Sequence, residues 1–428
     1  MFKNNSTADR AWVTYLSDNS YLVGCLVLAY SLRKVKSRYP LVVMTPISPM
    51  LEDRDLEELR RTSNIILEPI DTSVWQLSRK HQSQTLCDTS SSDSINNSDS
   101  SSSSSSSEDG EKKTYLWDYF IHTWAKLAAW GLVRYKRLVL LDCDMLVRIN
   151  MDQLLNENPR KNGRYTIEKG IDMAEEGEEE DEGEEKNKLN EKKLQLGHAD
   201  AYLDLPPNWV AAAHACTCNP MHNPRYPASW TPESCAYSQF TGNPCPPSHN
   251  YIIQNGKEQE QQVADLQVSS SLPSPSSAAS FLERRSYFNS GLVVLIPSLD
   301  QLKTIQTTFR EIKCPSHYTF PDQDLLNEVF RGRWKSLGYG YNALKTLVFT
   351  HAPIWNEGLT IPALLDNNNL STQNQQTMPV VNIHYILEKP WKVADLNKAR
   401  IESNRFVEHY SWWWQAHDEL LRDSALTG

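Results

Sequence analysis

The chain predicts one large α/β domain whose sheet is covered by helices on both faces, and three observations carry that expectation. Short apolar runs rich in β-branched residues alternate with stretches of helical periodicity. Those runs are continuously apolar rather than alternating, as strands buried on both faces are. Three low-complexity stretches interrupt the pattern, and without them the remaining length suits a single domain.

Strands are expected at Ala11–Leu16, Leu41–Met44, Asn64–Leu67, Leu138–Leu141, Trp209–Ala213, Gly291–Ile296, Thr346–Phe349 and Val380–His384. Helices are expected at Tyr21–Val35, at Leu51–Arg61 as a charged and exposed one, and at Leu116–Tyr135, where Trp117, Phe120, Ile121, Trp124 and Ala128 share one face. The domain spans 1–395 and is interrupted at about 82–113, 162–193 and 255–280 by serine-rich, acidic and Gln/Ser/Pro-rich insertions. None of the three offers enough apolar area to offset its ordering entropy, so they are expected as flexible surface insertions. Residues 396–428 form a helical extension expected to pack on the domain. Three adjacent tryptophans in it, Trp412 to Trp414, cannot all face one side of a helix.

The formal net charge of −10 comes almost entirely from nine acidic residues between Glu175 and Glu185, which leaves the rest near neutral. A near-neutral body argues against nucleic-acid binding, which needs a basic surface. No apolar stretch is long enough to span a bilayer, and the polar N-terminus lacks a secretory h-region. Eight cysteines in such a chain suit a reducing compartment, so a cytoplasmic location is expected.

In open α/β sheets ligands bind at the carboxyl ends of the strands. Leu138–Leu141 runs straight into Asp142-Cys143-Asp144. Side chains two apart on extended backbone share a face, so the two carboxylates can converge on one hard cation, with Cys143 turned the other way. Two further D-x-D pairs, Asp53/Asp55 and Asp322/Asp324, lack a preceding apolar strand.

The surroundings of Asp142 and Asp144 resemble glycosyltransferase family 8, the retaining group that includes glycogenin and the galactinol synthases. The matches run in order: Trp12 to Ser17 with Tyr21; Ser31-Leu32-Arg33; Trp124 to Leu127; Leu141 to Met145; Phe288 to Gly291; Asp322 to Asn327; and His384-Tyr385 with Lys389-Pro390-Trp391. The resemblance implies a GT-A type nucleotide-diphospho-sugar transferase domain with a Rossmann-like mixed sheet, a UDP-sugar donor, a carbohydrate or polyol acceptor, and Mn²⁺ (or Mg²⁺) held by Asp142, Asp144 and His384. It implies that Lys126 and Lys389 neutralise the diphosphate, that Thr14, Tyr15, Tyr21 and Cys143 lie at the nucleotide, and that Asn289 and Ser290 contact the donor sugar. Asp322 and Gln323 would lie beside the anomeric carbon as the catalytic pair. Only four residues, Tyr385 to Glu388, separate His384 from Lys389 here, fewer than in glycogenin and the galactinol synthases.

Ser31 to Ser37, Tyr39 to Val43 and the cysteines at 216, 218, 235 and 245 are nearer the galactinol synthases, so transfer from UDP-galactose to an inositol-type acceptor is the preferred expectation. Glycogenin-like self-glucosylation stands second, and an inactive sugar-nucleotide-binding protein third. The cysteines have no standard zinc spacing and read more readily as packed thiols than as a metal site. Oligomeric state is open, a homodimer included.

Overall fold

The structure is a computed structural model that describes residues 8–48, 50–75, 121–156, 203–219, 223–224, 226–239, 287–312, 318–352, 355, 380–393, 395–401 and 404–427. The expected insertions at 82–113, 162–193 and 255–280 fall outside these residues, as do Trp117, Phe120 and Cys245.

Among the described residues ten strands build two sheets: β1 Arg10–Tyr15, β2 Leu41–Pro46, β3 Ile65–Ile70, β4 Arg137–Leu141, β5 Met145–Val147, β6 Val210–His214, β7 Phe288–Leu295, β8 Trp334–Leu337, β9 Ala343–Leu344 and β10 Asn382–His384. The larger sheet has seven strands in the order β3-β2-β1-β4-β7-β6-β8. Its β1 to β4 neighbours run parallel, and β7 is antiparallel to both β4 and β6. The smaller sheet, β5-β10-β9, pairs β10 antiparallel to β5 and parallel to β9.

Successive residues of the central strands feed opposite cores, the physical meaning of their unbroken apolar sequence. Trp12, Val139, Leu141, Leu292 and Val294 join one apolar cluster, which also takes in helix α1 (Leu22–Lys34). Ala11, Val13, Leu138, Leu140, Val293 and Leu295 join the other, beneath α3 (Leu299–Arg310) and α4 (Pro321–Val329). The mixed sheet with helices on both faces is the architecture the sequence predicts.

Three local expectations need correction. Thr346–Phe349 is not a strand, because Leu347–Thr350 closes a single helical turn, α5, with His351 N–H donating to Leu347 O at 2.8 Å. A four-residue apolar run cannot tell strand from helix, and the strand there is the adjacent β9. Helix α2 (Asp53–Arg61) is not wholly exposed: Asp55, Leu56 and Leu59 are buried. Its acidic pair occupies the first turn, where it complements the helix dipole. Residues Ile121–Gly131 form a 3-10 helix instead of an α-helix. Three residues per turn align Trp124, Leu127 and Trp130, and the two indoles pack on Phe309 and Phe330 with ring centroids 5.0 and 5.7 Å apart.

The C-terminal stretch forms α6 (Leu396–Ile401) and α7 (Val407–Thr427). Helix α7 lies along α1, where Lys34 pairs with Glu419 and Tyr30 donates to the same carboxylate at 3.0 Å. All three tryptophans find partners. Trp413 is buried against Trp391 at 5.4 Å, Trp414 donates to Pro390 O and Val393 O, and Trp412 sits under the Arg148 guanidinium at 4.3 Å. Among the described residues no helix is long and apolar enough to cross a membrane.

Candidate active site

The site forms where the two sheets meet. Strand β4 ends at Leu141, and Asp142 N–H donates to Gly291 O at 2.9 Å, the last rung shared with β7. Three residues after Asp142, β5 begins in the smaller sheet. Its pairing with β10 sets His384 opposite Met145, and Tyr385 N–H donates to Asp144 O at 2.9 Å. The turn between the strands therefore brings Asp142, Asp144 and His384 together, with their ligand atoms all within 4.8 Å of one another. His384 Nε2 lies 3.3 Å from Asp144 Oδ1 and 3.7 Å from Asp142 Oδ2.

The imidazole is held by its other nitrogen. Asn342, at the end of the turn before β9, donates through Nδ2 to Asn289 Oδ1 at 2.8 Å. That bond leaves its Oδ1 facing His384 Nδ1, 3.0 Å away, so Nδ1 carries a proton and donates. As a metal ligand the ring would be neutral in this tautomer, with the Nε2 lone pair turned to an ion between the two carboxylates, as in a metal-ligating histidine with an oriented partner. Gly291 makes room for the ring. A Cβ there would lie 2.6 Å from Nδ1 and closer still to Cε1.

Two ammonium groups balance the acids. Lys126, buried on the 3-10 helix, bridges Asp142 at 2.9 Å and Asp322 at 2.6 Å. Burial works against its charge, but the two carboxylates outweigh that and raise its pKa above the ordinary lysine value. Lys389 pairs with Asp144 and donates to Tyr385 O at 3.1 Å. Burial would push the Asp144 carboxyl up, yet Lys389 and His384 hold it well below the usual range. Burial raises that of Asp142 in spite of Lys126 and His384. The pair is thus split, Asp144 firmly ionised and Asp142 the more readily protonated.

Helix α4 supplies the opposite wall. Asp322 accepts from Ser290 Oγ at 2.7 Å as well as from Lys126. Gln323 accepts from Asn289 Nδ2 at 2.9 Å and Ser290 N–H at 3.2 Å, and donates to Tyr287 OH at 2.9 Å. Asp324 accepts from Tyr287 and from Phe320 N–H, on the other side of the helix. Of the expected site residues, Asp142, Asp144, His384, Lys126, Lys389, Asn289, Ser290, Asp322 and Gln323 therefore form one connected network.

The residues expected at the nucleotide lie outside that network. Thr14 and Cys143 face each other in the core, hydroxyl to thiol 3.2 Å. Tyr15 is half-buried, and burial reinforced by Asp18 pushes its phenol up to about 12. Tyr21 packs edge-on against Trp391 at 5.6 Å, with Lys389 Nζ 5.8 Å above its ring. Sequence reasoning missed Asn342 and Tyr287. Tyr287 stands directly before the Phe288–Gly291 match, whereas Asn342 lies in Gly338–Asn342, a stretch with no local motif.

The donor set of two carboxylates and one imidazole can bind a divalent ion, and its oxygen-rich character suits a hard one. The model for glycosyl transferase family 8 matches residues 12–198 and 261–394, and the chain belongs to that family. It is accordingly a glycosyltransferase of the hexosyltransferase kind, and its mixed sheet is the GT-A type. Galactinol synthase 6 of Arabidopsis thaliana is 22% identical over 426 residues, covering 97% of this chain and 82% of the relative. Galactinol synthase 1 of Ajuga reptans is 23% identical over 421 residues, covering 97% and 83%. Among solved structures, the galactosyltransferase LgtC in complex with donor and acceptor sugar analogues matches at TM-score 0.42 and 14% identity over 94% of each chain. The bifunctional glycosyltransferase WbbM matches at TM-score 0.42 and 15% identity over 98% of this chain, which spans about half (52%) of the WbbM length.

Proposed function

We propose that the protein transfers galactose from UDP-galactose to a hydroxyl of an inositol-type acceptor, with retention at the anomeric carbon and with Mn²⁺ held by Asp142, Asp144 and His384. The observation that carries this reading is the convergence of those three side chains with Lys126, Asp322 and Gln323 at the end of β4. The preference for galactose and inositol rests on the galactinol synthases, whose similarity runs the length of the chain. The described cysteines are all free of disulfides, which suits action in the cytoplasm.

The chain's own groups divide the work by charge. Asp142, Asp144 and Asp322 face Lys126 and Lys389, which leaves one negative charge in excess. A bound divalent cation supplies Lewis-acid stabilisation of a departing diphosphate. Lys389 is placed to follow the diphosphate, and Lys126 fixes the spacing between the metal carboxylate and α4. Ser290 and Asn289 orient the sugar from the amino end of β7.

Retention can proceed through a covalent sugar on the enzyme or on a single face. Both acids of α4 are committed: Asp322 to Lys126 and Ser290, Asp324 to Tyr287 and Phe320. Gln323 is a weak nucleophile whose amide is spent on three partners. We therefore favour front-face transfer. The anomeric carbon–phosphate oxygen bond breaks while the carbon–acceptor oxygen bond forms on the same face, and the acceptor proton passes to the departing phosphate oxygen. Catalysis then rests on positioning and electrostatics.

A screen of UDP-galactose, UDP-glucose and UDP-N-acetylglucosamine against myo-inositol, glucans and water, with Mn²⁺ present, tests the assignment. The expected product is an α-galactoside of inositol, formed from UDP-galactose alone. Hexose found covalently on the protein after incubation with UDP-glucose would replace this reading with self-glucosylation. Trapping a glycosylated Asp322 or Gln323 would replace the front-face route.

A further inference from the structure

A second cluster of ligand atoms lies away from Asp142 and Asp144. Cys216 and Cys218 follow β6, Cys235 ends the short 3-10 turn Pro232–Ser234, and His351 ends α5. Their three sulfurs and the imidazole all lie within 4.8 Å of one another. His351 Nε2 is 3.5, 3.2 and 3.4 Å from the sulfurs of Cys216, Cys218 and Cys235, and the Cys216 and Cys235 sulfurs are 4.0 Å apart.

Hydrogen bonding does not account for that arrangement, because one ring nitrogen makes one hydrogen bond along its in-plane direction, not three. Nor does a disulfide, whose sulfurs bond at about 2.05 Å. Tetrahedral coordination does. With metal–sulfur bonds of about 2.3 Å and a metal–nitrogen bond of about 2.0 Å, ideal angles set sulfur–sulfur at about 3.8 Å and sulfur–nitrogen at about 3.5 Å. The three sulfur–nitrogen distances and the Cys216–Cys235 distance match these to within a few tenths of an ångström. Hydroxyls stand outside the cluster, Thr350 Oγ1 and Ser238 Oγ each 3.8 Å from a sulfur, as groups that orient thiolate ligands do.

We propose that Cys216, Cys218, Cys235 and His351 bind one structural Zn²⁺ in a closed tetrahedral site. Soft thiolates with one imidazole select zinc over the hard ions suited to carboxylates. Four protein ligands leave no position for substrate, so the role is architectural. The ion would tie together three segments with little regular structure, which lie under the active-site wall. Within the Cys218–Cys235 stretch, Trp230 stacks on Phe320 at 5.1 Å and meets Tyr287 edge-on at 5.9 Å. Tyr287 in turn bonds Gln323 and Asp324. The zinc site therefore braces the helix that carries Asp322 and Gln323, independently of which sugar or acceptor is used.

Metal analysis of the full-length protein is expected to give one zinc per chain. X-ray absorption at the zinc edge is expected to show three sulfurs at about 2.3 Å and one nitrogen at about 2.0 Å. His351→Cys should keep the zinc, and His351→Ala should lose it together with thermal stability. Where the alanine variant does not fold, the absorption spectrum of the wild type decides alone. Protein free of zinc, iron in its place, a zinc shell of oxygen and nitrogen only, or a Cys216–Cys235 disulfide by mass spectrometry would each overturn the assignment.

Discussion

The protein holds two ligand clusters of opposite character, and their contrast is instructive. Around Asp142, Asp144 and His384 the donors are hard and few, and charged lysines crowd in to balance them. Around Cys216, Cys218, Cys235 and His351 the donors are soft and four in number, and the neighbours are hydroxyls and aromatic rings. A site that must accept a charged substrate keeps coordination positions open and manages the resulting charge. A site that must only hold chain segments together closes its coordination, and the ion itself offsets most of the charge of its thiolates. The same residue type serves in both, since each cluster uses a single histidine through Nε2.

The largest expected effect separates the two. Asp142→Asn should lower kcat roughly 10³-fold at saturating Mn²⁺, equivalent to about 4 kcal/mol of lost stabilisation, with little change in melting temperature. Cys235→Ser should reverse that pattern: zinc content lost and a melting temperature lower by roughly 5 °C or more, with donor KM changed less. If both variants moved activity and stability alike, the division of labour would fall.

Smaller changes probe the supports. Asn342→Leu removes the group that fixes the His384 tautomer and should weaken activating-metal affinity about 10- to 100-fold, read as the Mn²⁺ dependence of kcat. Gly291→Ala forces a Cβ into the same ring and should act in the same direction, while zinc content stays unchanged. The smallest effect belongs to neither cluster. Burial pushes the His409 imidazole down to about 4 from an ordinary 6.5. The unfolded chain therefore takes up a proton below about 6.5 that the fold refuses until about 4, so stability falls as pH falls through that window. His409→Phe should flatten this decline in thermal melts between pH 6.5 and 4.

Legibility in the sequence followed the range of each interaction. Asp142 and Asp144 showed themselves because strand geometry is local: an unbroken apolar run fixes which way the next two carboxylates point. His384 was found only through family resemblance, since nothing near it specifies a partner so far away in the chain. Asn342 escaped altogether, because its task is defined by β9 lying beside β10 and leaves no local trace. The cysteines were visible as residues but not as a site. Cys216 and His351 are 135 residues apart, and no spacing rule reaches across that distance. Likewise, 3.6-residue periodicity was read into residues 121–131, where three-fold packing of Trp124, Leu127 and Trp130 prevails.

The seam between the two sheets also orders events during synthesis. Asp144 and its partner Lys389 are 245 residues apart, so the first leaves the ribosome long before the second. Strands β1 to β4 can pair early, as amino-terminal segments do when chains fold while being made. Asp142 has Lys126 at hand, but Asp144 must then wait, unpaired, until β10 and the Lys389 loop arrive. A chain cut short before His384 would retain all seven strands of the large sheet yet lack an imidazole and an ammonium group at its acidic turn. The junction thus acts as a completeness check, because only a finished polypeptide acquires the charge balance that the reaction needs.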